Sequence, residues 1–122
     1  MLTNELEERI SIEIESRKEE LLDLLKELVR FRTVSPPARN TNDIQHFIQG
    51  YLERMNFQTD KWFVYPNDPN VVGLLRGKSP EHYNSLIING HVDVAEIGDE
   101  QEGMSPPFVA QQQGSYIYGR GV

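Results

Sequence analysis

An α/β fold is predicted for this 122-residue chain by three features: two apolar stripes at helical spacing in its first half, a switch to strand-type runs after Asn56, and a helix, helix, strand order throughout. The first stripe is Leu21, Leu22, Leu25, Leu28 and Val29, set among Arg17, Lys18, Glu19, Glu20, Asp23, Lys26 and Glu27. It predicts one amphipathic helix starting as early as Asn4, with Asn4 as cap and Glu7 at the reciprocal capping-box position. Ser35-Pro36-Pro37 should end it, because residues before proline avoid helical dihedrals. Its alternating charges read as a solvated face rather than a partner-binding one. The second stripe, Ile44, Phe47, Ile48, Tyr51, Leu52 and Met55, recurs at steps of three and one, with Asn40 or Thr41 available as cap. So regular a stripe is a face that packs on a sheet, not a cofactor slot. His46 falls among these residues without a ligand-spaced partner and reads as a surface histidine.

Beyond Asn56 the period becomes extended. Phe57 to Tyr65 is rich in aromatic and β-branched residues and is stopped by Pro66-Asn67-Asp68-Pro69. Val71 to Leu75 and Leu86-Ile87-Ile88 are continuous apolar runs, which predicts core strands buried on both faces. Gly77-Lys78-Ser79-Pro80 is the loop between them, and His82 lies in that predicted surface loop. Phe108 to Gln111 and Tyr116 to Tyr118 flank Gln112-Gln113-Gly114-Ser115, the pattern of a hairpin with a glycine-containing turn. An α/β sandwich follows, although helices to cover the second face of its sheet are not in this sequence.

Composition excludes several classes. The formal net charge is −7, from 12 basic and 19 acidic residues, and no Arg/Lys block is present, so a nucleic-acid partner is disfavoured. With no cysteine, disulfides and thiolate metal sites are impossible, and any metal must be held by histidine and carboxylates. No apolar run approaches the roughly 18 residues of a membrane span, and the acidic N-terminus lacks the order of a signal peptide. The expectation is a soluble, cytoplasmic protein with no membrane partner.

The segment with chemical content is Leu86-Ile87-Ile88-Asn89-Gly90-His91-Val92-Asp93-Val94. Strand alternation puts His91 and Asp93 on one face, about 7 Å apart along the chain, with Val92 pointing the other way. They follow an apolar run, at the carboxyl end of a predicted buried strand, where open α/β sheets place ligands. Gly90 would leave room for a close approach beside the imidazole. The spacing suits a metal-ligating imidazole oriented by a carboxylate. It suits also a structural histidine paired with an acid, which is the commoner case for such spacing.

Four linked motifs narrow the choice. Ile88-Asn89-Gly90-His91-Val92-Asp93-Val94, Gly98-Asp99, Pro106-Pro107-Phe108 and Tyr118-Gly119-Arg120-Gly121 resemble, in content, order and spacing, the first signature of the M20 family of zinc metallopeptidases and deacylases. Val34-Ser35-Pro36-Pro37 and the helical lead-in are similar to the family's N-terminus, so the likeness covers nearly the whole chain. It implies that residues 1–122 are the N-terminal portion of the catalytic domain, an incomplete zinc-peptidase-like α/β/α sandwich with a mixed sheet. The dimerisation domain and the C-terminal part would lie outside these residues. His91 would be the metal residue, a ligand to one of two zinc ions per full-length chain, with cobalt as a possible substitute. Asp93 would be the catalytic carboxylate that orients it. The metal-bridging aspartate would follow just beyond Gly119-Arg120-Gly121, and Arg120 would anchor the loop carrying it.

The activity so implied is metal-dependent hydrolysis of an amide in an N-acyl amino acid or peptide, of the acetylornithine deacetylase type, by a full-length protein able to form a homodimer. A desuccinylase, dipeptidase or formylaminopyrimidine deformylase are alternatives within the class. Family members often carry Trp shortly before the Pro-Phe pair, where this chain has Gly103-Met104-Ser105, and the acidic Ala95 to Glu102 loop is unusual. Both affect the expected substrate and neither touches His91. Residues 1–122 alone, with one ligand, are expected to be inactive. The reading from another class is a non-catalytic fragment that binds a partner through an uncovered sheet.

Overall fold

The computed structural model describes residues 3–36, 39–78, 85–99 and 103–122. The chain forms two compact units, one of Met1–Arg30 with Glu100–Val122 and one of Phe31–Asp99. The predicted positions of Pro37 and His82 lie outside the described residues. Among the described residues, no helix is long and apolar enough to cross a membrane.

In the first unit the predicted single helix is two: α1, Asn4–Ser16, and α2, Lys18–Val29, separated at Arg17. The cap is Thr3, whose hydroxyl accepts from the Leu6 amide at 3.4 Å, and not Asn4, which is already helical. The break follows from the side chains. Ile10, Ile12 and Ile14 alternate, so they split between opposite faces of a helix, and they are β-branched. No α1 residue is buried, so no packing face holds it in line with α2. Helix α2 ends at Val29, well before the Ser35-Pro36 stop. Val29 is buried, and a Cβ at Gly119 would lie 2.9 Å from its Cγ1, so glycine is required there by close approach. The predicted second hairpin is present, its first strand beginning three residues and ending two residues later than expected: β3, Gln111–Gln113, pairs antiparallel with β4, Tyr116–Tyr118. Gly114 takes the positive φ (62°) that the turn needs. Phe108 is not in the strand but is buried in the preceding turn.

The second unit holds α3, Asn42–Arg54, against a hairpin of β1, Gln58–Tyr65, and β2, Asp68–Leu74. The strands are antiparallel from Gln58↔Leu74 to Tyr65↔Asp68, with an irregularity between Phe63 and Tyr65. Asn67 supplies the positive φ (61°) in the two-residue turn. As the stripe predicts, Ile44 is buried and Phe47, Ile48, Tyr51 and Leu52 are half-buried, and His46 is on the surface; Met55, expected on the same packed face, is instead exposed, since it lies past the last helical residue. Leu52 lies so close to β2 that a Cβ at Gly73 would meet its Cδ1 at 3.0 Å. Thr41 is the α3 cap residue, but its hydroxyl bonds outward to Asp68 Oδ1 at 2.7 Å. The first helical amide, that of Asn42, instead donates to Asn67 O at 3.1 Å, so the hairpin turn caps the helix. Asp68 also pairs with Arg39 at 3.3 Å, and the Arg39 guanidinium lies over the Tyr65 ring.

Two strand expectations are corrected. Strand β2 is not covered on both faces, since Val72 and Leu74 are about half exposed. Leu86, Ile87 and Ile88 belong to no strand and are 84%, 89% and 86% exposed. A continuous apolar run signals a doubly covered strand only where elements flank both of its faces. Among the described residues none covers this one. Among the described residues the architecture is therefore α/β, with three helices and two two-stranded sheets.

The dependence of α3 and the hairpin turn on Asp68 is open to measurement. Removing its carboxylate by Asp68→Ala strands the Thr41 hydroxyl, only 3% exposed, which costs about 1–3 kcal/mol for a buried donor without a partner. Trp62 is the only tryptophan and lies on β1, so its fluorescence during urea unfolding reports on this unit. The midpoint should fall for Asp68→Ala and much less for Asp68→Asn, which keeps an acceptor.

Candidate functional site

Local pairing, not a wide sheet, sets the His91–Asp93 segment. Val34 and Val94 form a parallel bridge, in which the Val94 amide donates to Thr33 O and the Ser35 amide donates to Val94 O, each at 3.0 Å. The Thr33 hydroxyl adds a third bond, donating to Val92 O at 2.6 Å. Extended backbone then alternates as expected: His91 and Asp93 are exposed, and Val92 and Val94 are half-buried.

His91 and Asp93 are brought together. The imidazole Nδ1 is 3.2 Å from Asp93 Oδ1 and 2.9 Å from the Asp93 backbone oxygen. Both partners are acceptors, so a neutral ring bonded in this way carries its proton on Nδ1 and keeps a lone pair on Nε2. The His91 side chain is 82% exposed, and Nε2 has no partner among the described residues. This is the form in which histidine binds a metal, its second nitrogen turned to a carboxylate or carbonyl that fixes the ring. One imidazole donor oriented in this way suits zinc chemistry. It is a single corner, however, since no group of three or more His, Cys, Asp and Glu that could hold a metal occurs among the described residues.

An open cleft of about 520 Å³ lies beside His91, in the size range of small-molecule sites. Ile48 of α3, Trp62 of β1 and Val71 of β2 supply apolar wall, and Gln45 and Asn70 supply polar groups. Gly90 also borders this cleft, but no atom lies within 4 Å of the place a Cβ would take there. The expected close approach at Gly90 is thus not made among the described residues. Gly119-Arg120-Gly121 forms a turn in the other unit, where the Arg120 amide donates to Pro107 O at 2.6 Å. The residue missed in the sequence is Thr33. Its signal was the neighbouring Val34-Ser35-Pro36, but only pairing across 59 residues connects it to Val92.

The chain is similar to two N-formyl-4-amino-5-aminomethyl-2-methylpyrimidine deformylases. It is 50% identical to that of Bacillus subtilis (strain 168) over 109 residues, 89% of this chain and 26% of the relative. It is 49% identical to that of Halalkalibacterium halodurans over 115 residues, 94% of this chain and 27% of the relative. The succinyl-diaminopimelate desuccinylase of Blochmanniella pennsylvanica is 30% identical over 102 residues, 84% of this chain and 26% of that protein. The chain thus spans about a quarter of the length of the curated relatives it matches. No protein-family model matches it, and no solved structure matches it.

The ring arrangement predicts a measurable tautomer. With the imidazole in its neutral form, ring ¹⁵N shifts should show His91 mainly as Nδ1–H, the reverse of the preference of free histidine. Asp93→Ala removes one of the two acceptors and should lower the Nδ1–H share, while His46 stays unchanged.

Proposed function

We propose, because this chain belongs to the M20 family of amidohydrolases, that residues 1–122 carry the first metal-ligand segment of an enzyme that hydrolyses an N-acyl amide. The observation that supports this most is the identity of about one half to the two deformylases over nearly the whole chain. Within the class, that similarity favours a formylated aminopyrimidine as substrate over the acetylornithine-type N-acyl amino acid expected from the motifs. The desuccinylase is the second choice, at 30% identity. A partner-binding fragment is not favoured by any of these relatives.

In this reading His91 would hold a zinc ion through its Nε2 lone pair. Asp93 holds the Nδ1 proton, which fixes the ring plane and makes the opposite nitrogen a better donor. When bound, the zinc pair supplies Lewis acidity, polarising an amide carbonyl and making water a nucleophile near neutral pH. The cleft beside His91 gives a small acylated substrate a place to lie, with Trp62 offering a flat apolar contact and Gln45 and Asn70 offering hydrogen bonds. Zinc sites need three or four protein ligands. In this reading the further ligands would be supplied by the part of the relatives' length that this chain does not span, and residues 1–122 alone would be inactive.

The test is turnover by the full-length protein, supplied with zinc or cobalt, of three amides: the formylaminopyrimidine, N-succinyl-diaminopimelate and N-acetylornithine. Release of formate should be fastest. His91→Ala should lose the metal and fall to background. Asp93→Ala should retain weakened metal binding and lose about 10- to 100-fold in affinity or rate, as expected for a carboxylate that orients a ligand. Metal-independent hydrolysis, or full activity without His91, contradicts the proposal.

A further inference from the structure

Thr33 is 3% exposed, and its hydroxyl is spent on the one carbonyl that lies between the two site residues, that of Val92, at 2.6 Å. Its own carbonyl takes the Val94 amide at 3.0 Å. One residue therefore grips the chain on both sides of Asp93. The shorter of the two Nδ1 contacts of His91 is to the Asp93 backbone oxygen, at 2.9 Å, within this gripped stretch. Thr33 is itself anchored from both directions. The Asn40 side chain donates to Arg32 O at 2.6 Å, and the Phe31 ring packs on Phe47 of α3 with centroids 5.5 Å apart.

We propose that Thr33 is a positioning residue for the His91–Asp93 pair: its hydroxyl on Val92 O fixes the peptide before Asp93 and its carbonyl on the Val94 amide fixes the peptide that carries the Asp93 backbone oxygen, and together they keep the ring proton of His91 on Nδ1 and Nε2 free for a ligand. This deepens the reading of His91 as a metal ligand and rests on it for its purpose, but not for its test. The ring proton is read without metal or substrate. An unmoved tautomer defeats the role of Thr33 even in an active amidohydrolase, whereas failure in the substrate assays defeats the functional reading even if the tautomer moves.

The experiment is ring ¹⁵N spectroscopy of His91 in the 122-residue chain with the imidazole neutral. Thr33→Val keeps the β-branched shape and removes the hydroxyl, while Thr33→Ser keeps the hydroxyl. The expected result is a shift of His91 toward the Nε2–H-dominated ratio of free histidine in Thr33→Val, the parent ratio in Thr33→Ser, and a parent-like Trp62 indole signal in both. In the unsubstituted chain, the Nδ1–H preference should vanish over the same urea range in which the Val94 amide loses its exchange protection. That measurement decides the matter if Thr33→Val does not fold. The proposal is overturned by a free-histidine ratio in the parent chain, by Thr33→Val with native Trp62 signal and unmoved ratio, by Thr33→Ser shifting as far as Thr33→Val, or by a ratio that outlasts Val94 protection.

Discussion

Everything that makes His91 chemically useful depends on the short parallel bridge between Thr33–Ser35 and Val92–Val94. Among the described residues no sheet surrounds residues 86–91, and Leu86, Ile87 and Ile88 face solvent. An extended segment in that position would sample many conformations without a tether. Three hydrogen bonds supply it, two between backbones and one from the buried Thr33 hydroxyl. The geometry of the pair is then a consequence of backbone register: alternation turns both side chains outward, and the fixed Asp93 carbonyl and carboxylate take the Nδ1 proton.

The bridge is held in turn by the α3 and hairpin unit. Phe31 packs on the same α3 face that carries Ile44 and Ile48, and Asn40 holds the carbonyl next to Thr33. One turn further on, Arg39 and Thr41 are fixed by Asp68 at the hairpin tip. An amphipathic helix, a hairpin turn and one threonine thus form a continuous path from core packing to ring orientation. Each exposed ion pair along α1 and α2, by contrast, contributes little, since both partners remain in water.

The elements governed by local pattern were legible in the sequence. The α3 stripe, the β1 run with its Pro66-Asn67 turn, and the hairpin around Gly114 follow from periodicity and turn chemistry alone. So did the outward projection of His91 and Asp93, which needs only strand alternation. What was not legible depended on partners distant in sequence. The split at Arg17 reflects the absence of anything packed on α1, and the exposure of Leu86 to Ile88 reflects the absence of covering elements among the described residues. Thr33 could not be singled out, because a threonine beside Val34-Ser35-Pro36 has no marked chemistry until its hydroxyl is placed on Val92. The family likeness was carried by linked motifs, and the ordering of substrates within it was not: loops such as Ala95 to Asp99 vary independently of the metal-ligand residue.

The central claim is that His91 binds zinc through Nε2 with Asp93 behind it. It is tested most directly by anomalous diffraction at the zinc edge from crystals of the full-length, zinc-loaded protein. The account predicts a zinc peak within coordination distance of His91 Nε2, at the roughly 2.0–2.1 Å typical of zinc–imidazole bonds, with Nδ1 still turned to Asp93. Zinc bound elsewhere with the His91 ring uncoordinated, or bound through Nδ1 with Asp93 displaced, would contradict it.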